Sequence, residues 1–280
     1  MADNPPALKL LPTALTSLAA VSAWLEATTP LTPPIQNQLT GLINSASRLM
    51  FSVMSRNSFL VRTVTERRTG DDMPGLMLRE WPVLSISSVT INGVSTTASD
   101  GQGGAGYVLD PWDGYAPGAP QLLSVVGGTF PSNPGSTVIV YEVGYAVQDE
   151  VQTVGSTGYV WPLAPQGRFA ANWKVLNAAG STMTAVSGTP SVGQYVAPTD
   201  DTTAYQFNPA QGQVTLNYSF IPADIDYACA KWVGEWYRYK ARIGQRSQSA
   251  SGQVTNSFVI EQMPADVKLT LQQYSRILTV

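Results

Sequence analysis

Thr32-Pro-Pro-Ile-Gln-Asn-Gln-Leu-Thr-Gly-Leu-Ile-Asn-Ser-Ala-Ser-Arg-Leu-Met-Phe-Ser-Val53 decides the fold, together with three runs that follow it: Phe59-Leu-Val-Arg-Thr-Val-Thr-Glu66, Leu76-Met-Leu-Arg-Glu-Trp-Pro82 and Leu84-Ser-Ile-Ser-Ser-Val-Thr-Ile91. In the first stretch Ile35, Leu39, Leu42, Ile43, Ala46, Leu49, Met50 and Val53 recur at the three- and four-residue spacing of one helical face. Pro33 and Pro34 suit a first turn, where a missing N–H leaves no hydrogen bond unmade, and Thr32 stands at the cap position. After Arg56 the spacing changes to that of strands, and the turn dipeptide Asn92-Gly93 closes the last run. One helix feeding a set of strands predicts an α+β fold, with a small helical bundle beside an antiparallel sheet or hairpin part.

Upstream, Met1 to Thr13 is proline-rich and reads as a flexible arm. Thr16 or Ser17 would cap a short helix with Leu18, Val21 and Leu25 on one face, ended by Thr28-Thr-Pro30. Downstream, 98–106 reads as a flexible glycine-rich loop, Tyr107-Val-Leu109 as a short strand and Asp110-Pro-Trp-Asp-Gly114 as a turn cluster. Gln121 to Val126 and Thr137 to Val143 read as two further strands. From about Gln148 to Asn217 the composition shifts: charges are few, and Gly, Thr, Tyr and Trp are frequent. Short strand candidates there are Tyr159-Val-Trp161, Trp173-Lys-Val-Leu176, Tyr195-Val196, Tyr205-Gln-Phe207 and Val214-Thr-Leu-Asn-Tyr218. They predict a β-sandwich- or barrel-like subdomain at 148–217, inserted in a body made of 14–147 and 218–246.

Pro222 opens a third helix, with Asp224 and Asp226 at its positive end, Lys240 and Arg242 at its negative end and Gly244 as its stop. Its buried stripe is Ile225, Ala228, Cys229, Trp232, Val233, Trp236 and Ile243. Gln245 to Thr255 reads as a Gln/Ser/Gly linker and Phe258-Val-Ile260 as a strand. Pro264-Ala-Asp-Val267 opens a last helix with Val267, Leu271, Tyr274 and Leu278 on one face. A helix this short is marginal alone in water, so it must dock on its own body or on a partner.

The chain has 280 residues, enough for one large domain or two small ones. Charged residues make up only 12%, against about 25% in an ordinary soluble domain. Two readings stand side by side: a neutral polar surface on a β-rich protein, or a surface largely covered by neighbouring subunits, since interface cores are poor in Lys, Glu and Asp. A net charge of −3 argues against a broad basic face for gripping nucleic acid, though not against a pore through which DNA slides. The single cysteine, Cys229, excludes an intrachain disulfide, and its place on an apolar helix face makes it an inert buried thiol. No run is apolar and long enough for a membrane span.

The absence of histidine removes the usual general base, the usual metal ligand and every histidine-containing triad, and one cysteine cannot build a zinc cluster. Asp110, Asp113 and Glu142 are the candidates for a carboxylate-only metal site, and Asp113 with Glu142 for a glycosidase pair. Asp110 and Asp113 flank Pro111-Trp112 in a turn, where local backbone hydrogen bonding is the preferred explanation. Neither catalysis nor a cofactor is expected. Trp161, Trp173 and Tyr195 are the candidates for stacking on sugars in a carbohydrate-binding or adhesin module; building the core of a small β-subdomain is preferred. Lys231, Arg238, Lys240, Arg242 and Arg246 form a modest basic run that would touch DNA phosphates or a neighbouring ring; a solvated helix face is preferred for most of them.

The order of these features is distinctive. A short helix with Trp24-Leu25 near its end precedes a long helix ending Ala46-Ser47-Arg48-Leu49, then a strand with Thr65-Glu66, then Trp81-Pro82-Val83 opening a strand. Late in the chain comes a helix opened by Pro222-Ala-Asp224 and followed by alanine and aromatic residues. The chain resembles the head-to-tail adaptor (head completion, or connector) proteins of tailed bacteriophages over most of its length except 148–217. The resemblance implies a homo-oligomeric ring, a dodecamer, beneath the portal protein. That ring would extend the channel for passing double-stranded DNA and offer a platform to a tail, stopper or tail-terminator protein. It implies a helical body from the helices starting near Thr16, Thr32 and Pro222. It assigns portal docking to Phe258 through Val280, with Phe258, Val259, Ile260, Val267, Leu271, Tyr274 and Leu278 as the contact residues. It also implies a virion location at the head–tail interface, after assembly in the bacterial cytoplasm, with no membrane partner.

Overall fold

The computed structural model describes residues 8–27, 30–100, 102–110, 121–199, 204–239, 247–250, 254–257 and 263–276, with the backbone alone at 247–250 and 254–257. The fold is α+β and divides into two compact units, Met1–Asn57 with Pro222–Ser275, and Ser58–Ile221 with Arg276–Val280. The chain expected to form one body at 14–147 and 218–246 is thus divided, helices in the first unit and strands in the second.

The first unit is helical. Helix α1 (Leu18–Trp24) starts at Ser17, whose hydroxyl accepts the Ala20 N–H. Helix α2 (Pro33–Met54) begins at the two prolines, and Thr32 occupies the cap position without a side-chain cap bond. It stops at Ser55, where the backbone turns left-handed with φ 54°. Its buried side is Leu39, Ile43, Ala46, Met50 and Met54. The apolar band of the sequence is wider than this covered side: Leu49 and Val53 stay 47% and 46% exposed.

Helix α3 (Ala223–Tyr239) has Asp224 and Asp226 in its first turn and buries Ile225, Ala228, Cys229, Trp232 and Val233. Trp236, expected in that stripe, is half-buried, and Ile243 lies outside the described residues. Gly234 is needed for the α1 contact, because a Cβ there would lie 2.4 Å from Trp24 Cδ1. Tyr227 meets Trp24 edge-on, with ring centroids 5.2 Å apart. Helix α4 (Ala265–Gln273) packs on α3 and α2.

Two expectations of looseness are corrected. From Leu8 onward the proline-rich segment is tied to α2: the N–H groups of Leu8, Leu11 and Leu15 donate to Asn37 Oδ1, Asn44 Oδ1 and Ser47 Oγ. Asn37, Asn44 and Ser47 lie on one helical face, so α2 itself supplies the acceptors that an extended segment lacks. In place of a linker at 245–255, an antiparallel hairpin forms from strands Ser247–Ala250 and Val254–Ser257.

The second unit is built of strands. In chain order they are β1 (Arg62–Arg68), β2 (Gly75–Met77), β3 (Val83–Ile91), β4 (Val94–Thr96), β5 (Gly106–Asp110), β6 (Leu122–Val126), β7 (Thr137–Val143), β8 (Ala146–Thr153), β9 (Tyr159–Val160), β10 (Gly167–Asn177), β11 (Thr184–Ala185), β12 (Gln194–Val196), β13 (Tyr205–Phe207) and β14 (Gln213–Pro222). The hairpin strands above are then β15 and β16.

The sheet β1-β7-β3-β4 is antiparallel, and the sheet β2-β6-β5 lies over it. Their shared core holds Leu76, Val89, Leu123, Phe130, Ile139 and Tyr141, among others. Asn92 and Gly93 turn β3 into β4 with φ of 50° and 78°, the left-handed pair that a two-residue hairpin needs. Two more sheets, β10-β14-β8 and β11-β12-β13-β9, enclose a separate core of Val154, Val175, Tyr195, Tyr205, Phe207, Leu216 and Tyr218. None of the sheets closes into a barrel among the described residues.

Candidate functional site

The resemblance assigns portal docking to the apolar stripe of the C-terminal segment. Val267, Leu271 and Tyr274 are 1%, 0% and 2% exposed, buried in the helical unit. The Tyr274 hydroxyl donates to the Asp224 carboxylate at 2.8 Å. Its carbonyl accepts from Arg56 Nε. These three side chains already have their cover, α3 and α2 of their own chain, and that burial corrects the docking role given to them. Phe258, Val259, Ile260 and Leu278 lie outside the described residues.

Of the basic run, Lys231 is engaged: its amine is ion-paired with Asp266 of α4. The pair raises the Lys231 amine above its usual range, through its hydrogen bond with Asp266, and lowers the Asp266 carboxyl, chiefly by the same bond. Arg238 is exposed in the last turn of α3, and Lys240, Arg242 and Arg246 lie outside the described residues.

The carboxylates named for metal or sugar chemistry are dispersed. Asp110 ends β5 in an exposed position, and Asp113 lies outside the described residues. Glu142 on β7 accepts the Ser85 hydroxyl at 2.9 Å. Among the described residues, no group of three or more His, Cys, Asp or Glu side chains is placed to hold a metal ion. No described helix is long and apolar enough to cross a membrane.

The sugar-stacking trio separates by burial. Tyr195 is 4% exposed, inside the core. Its hydroxyl accepts from Asn172 Nδ2 at 2.8 Å, and Asn172 Oδ1 accepts the Tyr205 hydroxyl at 3.0 Å. Burial pushes both phenols up. Trp173 is half-buried on β10. Trp161 is 59% exposed.

Trp161 belongs to a ridge. Along 159–163 the chain alternates, with Tyr159, Trp161 and Leu163 outward and Val160 in the core. The Tyr159 and Trp161 rings lie 6.3 Å apart, tilted by 39°. Pairing of β9 with β13 fixes one end of this segment. At the other end Glu150 accepts the Leu163 N–H at 3.1 Å and the Tyr218 hydroxyl at 2.5 Å, while the Ala164 N–H donates to the Tyr218 oxygen at 2.9 Å. Burial, then the bond to Glu150, holds the Tyr218 phenol protonated far above neutral pH. The backbone is therefore pinned at both ends while three large apolar side chains face solvent, an arrangement suited to contact with another apolar surface.

A buried ionic cluster was not foreseen. Glu66 of β1 is 5% exposed. It accepts the Tyr141 hydroxyl at 2.7 Å, Arg68 Nη1 at 2.7 Å and the Arg79 N–H at 3.3 Å. Glu80 is paired with Arg62 at 3.0 Å and with Arg276 at 3.1 Å. Burial first, and then the Glu66 charge, pushes the Tyr141 phenol far up, so it stays a donor. The signal was present in β1: Arg62, Val64, Glu66 and Arg68 share the covered face by simple alternation.

Compared with known proteins, the sequence matches no protein-family model and no curated protein.

Proposed function

We propose that this chain is a structural head-to-tail adaptor of a tailed bacteriophage, a ring-forming protein that sits beneath the portal, continues the DNA channel and receives the next tail component. The observation that carries the reading is the helical unit. Helices α1, α2 and α3, the three that the resemblance calls for, come from the two ends of the chain and pack together, with α4 added. Exposed apolar side chains support it further: Leu49 and Val53 on α2, and Tyr159, Trp161 and Leu163 on the ridge, in a chain with only 12% charged residues. The portal contact is not carried by Val267, Leu271 and Tyr274, which are interior. Catalysis has no part in this reading; assembly follows from contacts between copies. DNA passing through the ring would be held weakly and in a strongly salt-dependent way.

Mass measurement of the purified chain across concentrations tests the proposal. A closed species near twelve times 29.9 kDa is expected. A single subunit at every concentration would contradict it. The second reading, a carbohydrate-binding module, keeps one supporting observation, the exposed Trp161 beside Tyr159. Glycan-array binding lost in Trp161→Ala would favour that reading instead.

A further inference from the structure

Among the described residues, two exposed apolar surfaces differ in chemistry. One is the ridge of Tyr159, Trp161 and Leu163, 46%, 59% and 71% exposed. No charged residue lies in the sequence between Glu150 and Arg168, so the ridge rises from a long uncharged segment. The other is the outer stripe of α2, with exposed Leu49 and Val53, half-buried Leu42 and exposed Arg48 beside them. Leu42, Leu49 and Val53 stand at i, i+7 and i+11, which is one side of a helix.

The two units that carry these surfaces differ in charge. The β unit has twelve acidic and seven basic residues, a net of −5, and the helical unit has seven acidic and nine basic, a net of +2; together they make the chain's 19 and 16. Between copies, contact of like units sets charges of the same sign against each other, whereas contact of unlike units sets opposite signs together.

We infer that the Tyr159–Trp161–Leu163 ridge of one copy packs on the Leu42–Leu49–Val53 stripe of α2 in a second copy, with Arg48 at the margin. This rests on the ring reading above and names its subunit contact. Because the two surfaces differ, the contact is heterologous: a joined pair of copies leaves one ridge and one stripe free, and the contact repeats until the assembly closes. Trp161 and Tyr159 are the anchors, large side chains held on a fixed backbone.

The test uses the full chain with Trp161→Glu and Leu49→Glu made separately, and Val94→Glu as a control at a third exposed position, 68% exposed and outside both surfaces. Circular dichroism and melting establish that all three stay folded. Mass photometry should show large assemblies for the parent and for Val94→Glu, and single subunits for each of the other two, a weakening of about 30-fold or more per contact. An equimolar mixture of Trp161→Glu and Leu49→Glu should give dimers and nothing larger, since only one competent contact remains between them. If the parent assembles and the two variants assemble equally well, the inference is overturned while the ring reading stands. If both variants are single subunits and their mixture forms no dimer, the two surfaces do not meet and the inference is likewise overturned. A parent that never assembles overturns the ring reading, and this inference with it.

Discussion

Replacing Glu66 by Gln keeps the size and shape of the side chain and removes its charge. Glu66 is 5% exposed and Arg68, its partner at 2.7 Å, has a side chain 10% exposed. Two hydrogen bonds to that carboxylate are charge-assisted or come from a buried phenol, Arg68 Nη1 and Tyr141 OH, each at 2.7 Å. Removing one partner of a buried ion pair costs about 3–5 kcal/mol, because the remaining charge stays desolvated. The amide still accepts one hydrogen bond, which places Glu66→Gln at the low end, about 3 kcal/mol. The Arg79 side chain adds little, being 45% exposed and 3.8 Å away. Tyr141→Phe removes one bond to a charged acceptor that keeps Arg68, and should cost about 1.5 kcal/mol. The two losses should not add, since both act on one carboxylate. For a unit of this size about 3 kcal/mol corresponds to a fall in melting temperature of roughly 6–12 °C. Calorimetry of the full chain is the assay, because two units can melt separately. The transition of the β unit should move and that of the helical unit should not. A shift below about 2 °C, or an equal shift of both transitions, would refute the reasoning.

Gly234→Ala sets helix propensity against packing: alanine gains about 1 kcal/mol in a helix, but its Cβ would stand 2.4 Å from Trp24 Cδ1, so chemical denaturation should show net destabilisation of about 1–3 kcal/mol. Leu271→Ala should cost about 2–5 kcal/mol in the helical unit, since Leu271 is fully buried; a neutral result would mean that α4 is not held on α2 and α3 as described. The Lys231–Asp266 pair should support stability over a defined pH window. The Asp266 carboxyl is lowered, so its contribution is present above its unfolded value of about 4 and is lost as pH falls through the folded value; the Lys231 amine is raised, so its contribution is present below about 10.4 and is lost as pH rises through the folded value. Asp266→Asn should therefore lower stability by a small, constant amount from about pH 5 to 9, and the difference should fade as pH falls through the folded value of Asp266.

Much of the helical part was legible. The spacing of Leu39, Ile43, Ala46 and Met50, with Pro33 and Pro34 ahead of them, gave α2 its start and its buried side. The same pattern could not say how much of an apolar band its own chain would cover, and Leu49 and Val53 are the part left open. In α4 the stripe was read correctly as apolar, but not its destination, because periodicity shows that a face needs cover and not whose surface supplies it. Strand β8 escaped notice. Gln148, Asp149, Glu150 and Gln152 carry no apolar alternation, and the strand is held instead by pairing with β14, with Asn217 Oδ1 accepting the Asp149 N–H where φ is 55°. Strand β10 runs from Gly167 to Asn177 beside β14 and so is longer than Trp173 to Leu176. The sequence shows the aromatic residues of 148–217 but not which of them are covered: Tyr195 and Tyr205 build the core, and Trp161 does not.

Electron microscopy of the purified chain mixed with isolated portal rings bears most directly on the adaptor reading. The account predicts a second ring, with the symmetry of the portal's lower face, seated coaxially on it and leaving an open central channel. Portal rings that stay bare, beside a chain that remains a compact single subunit, would contradict it.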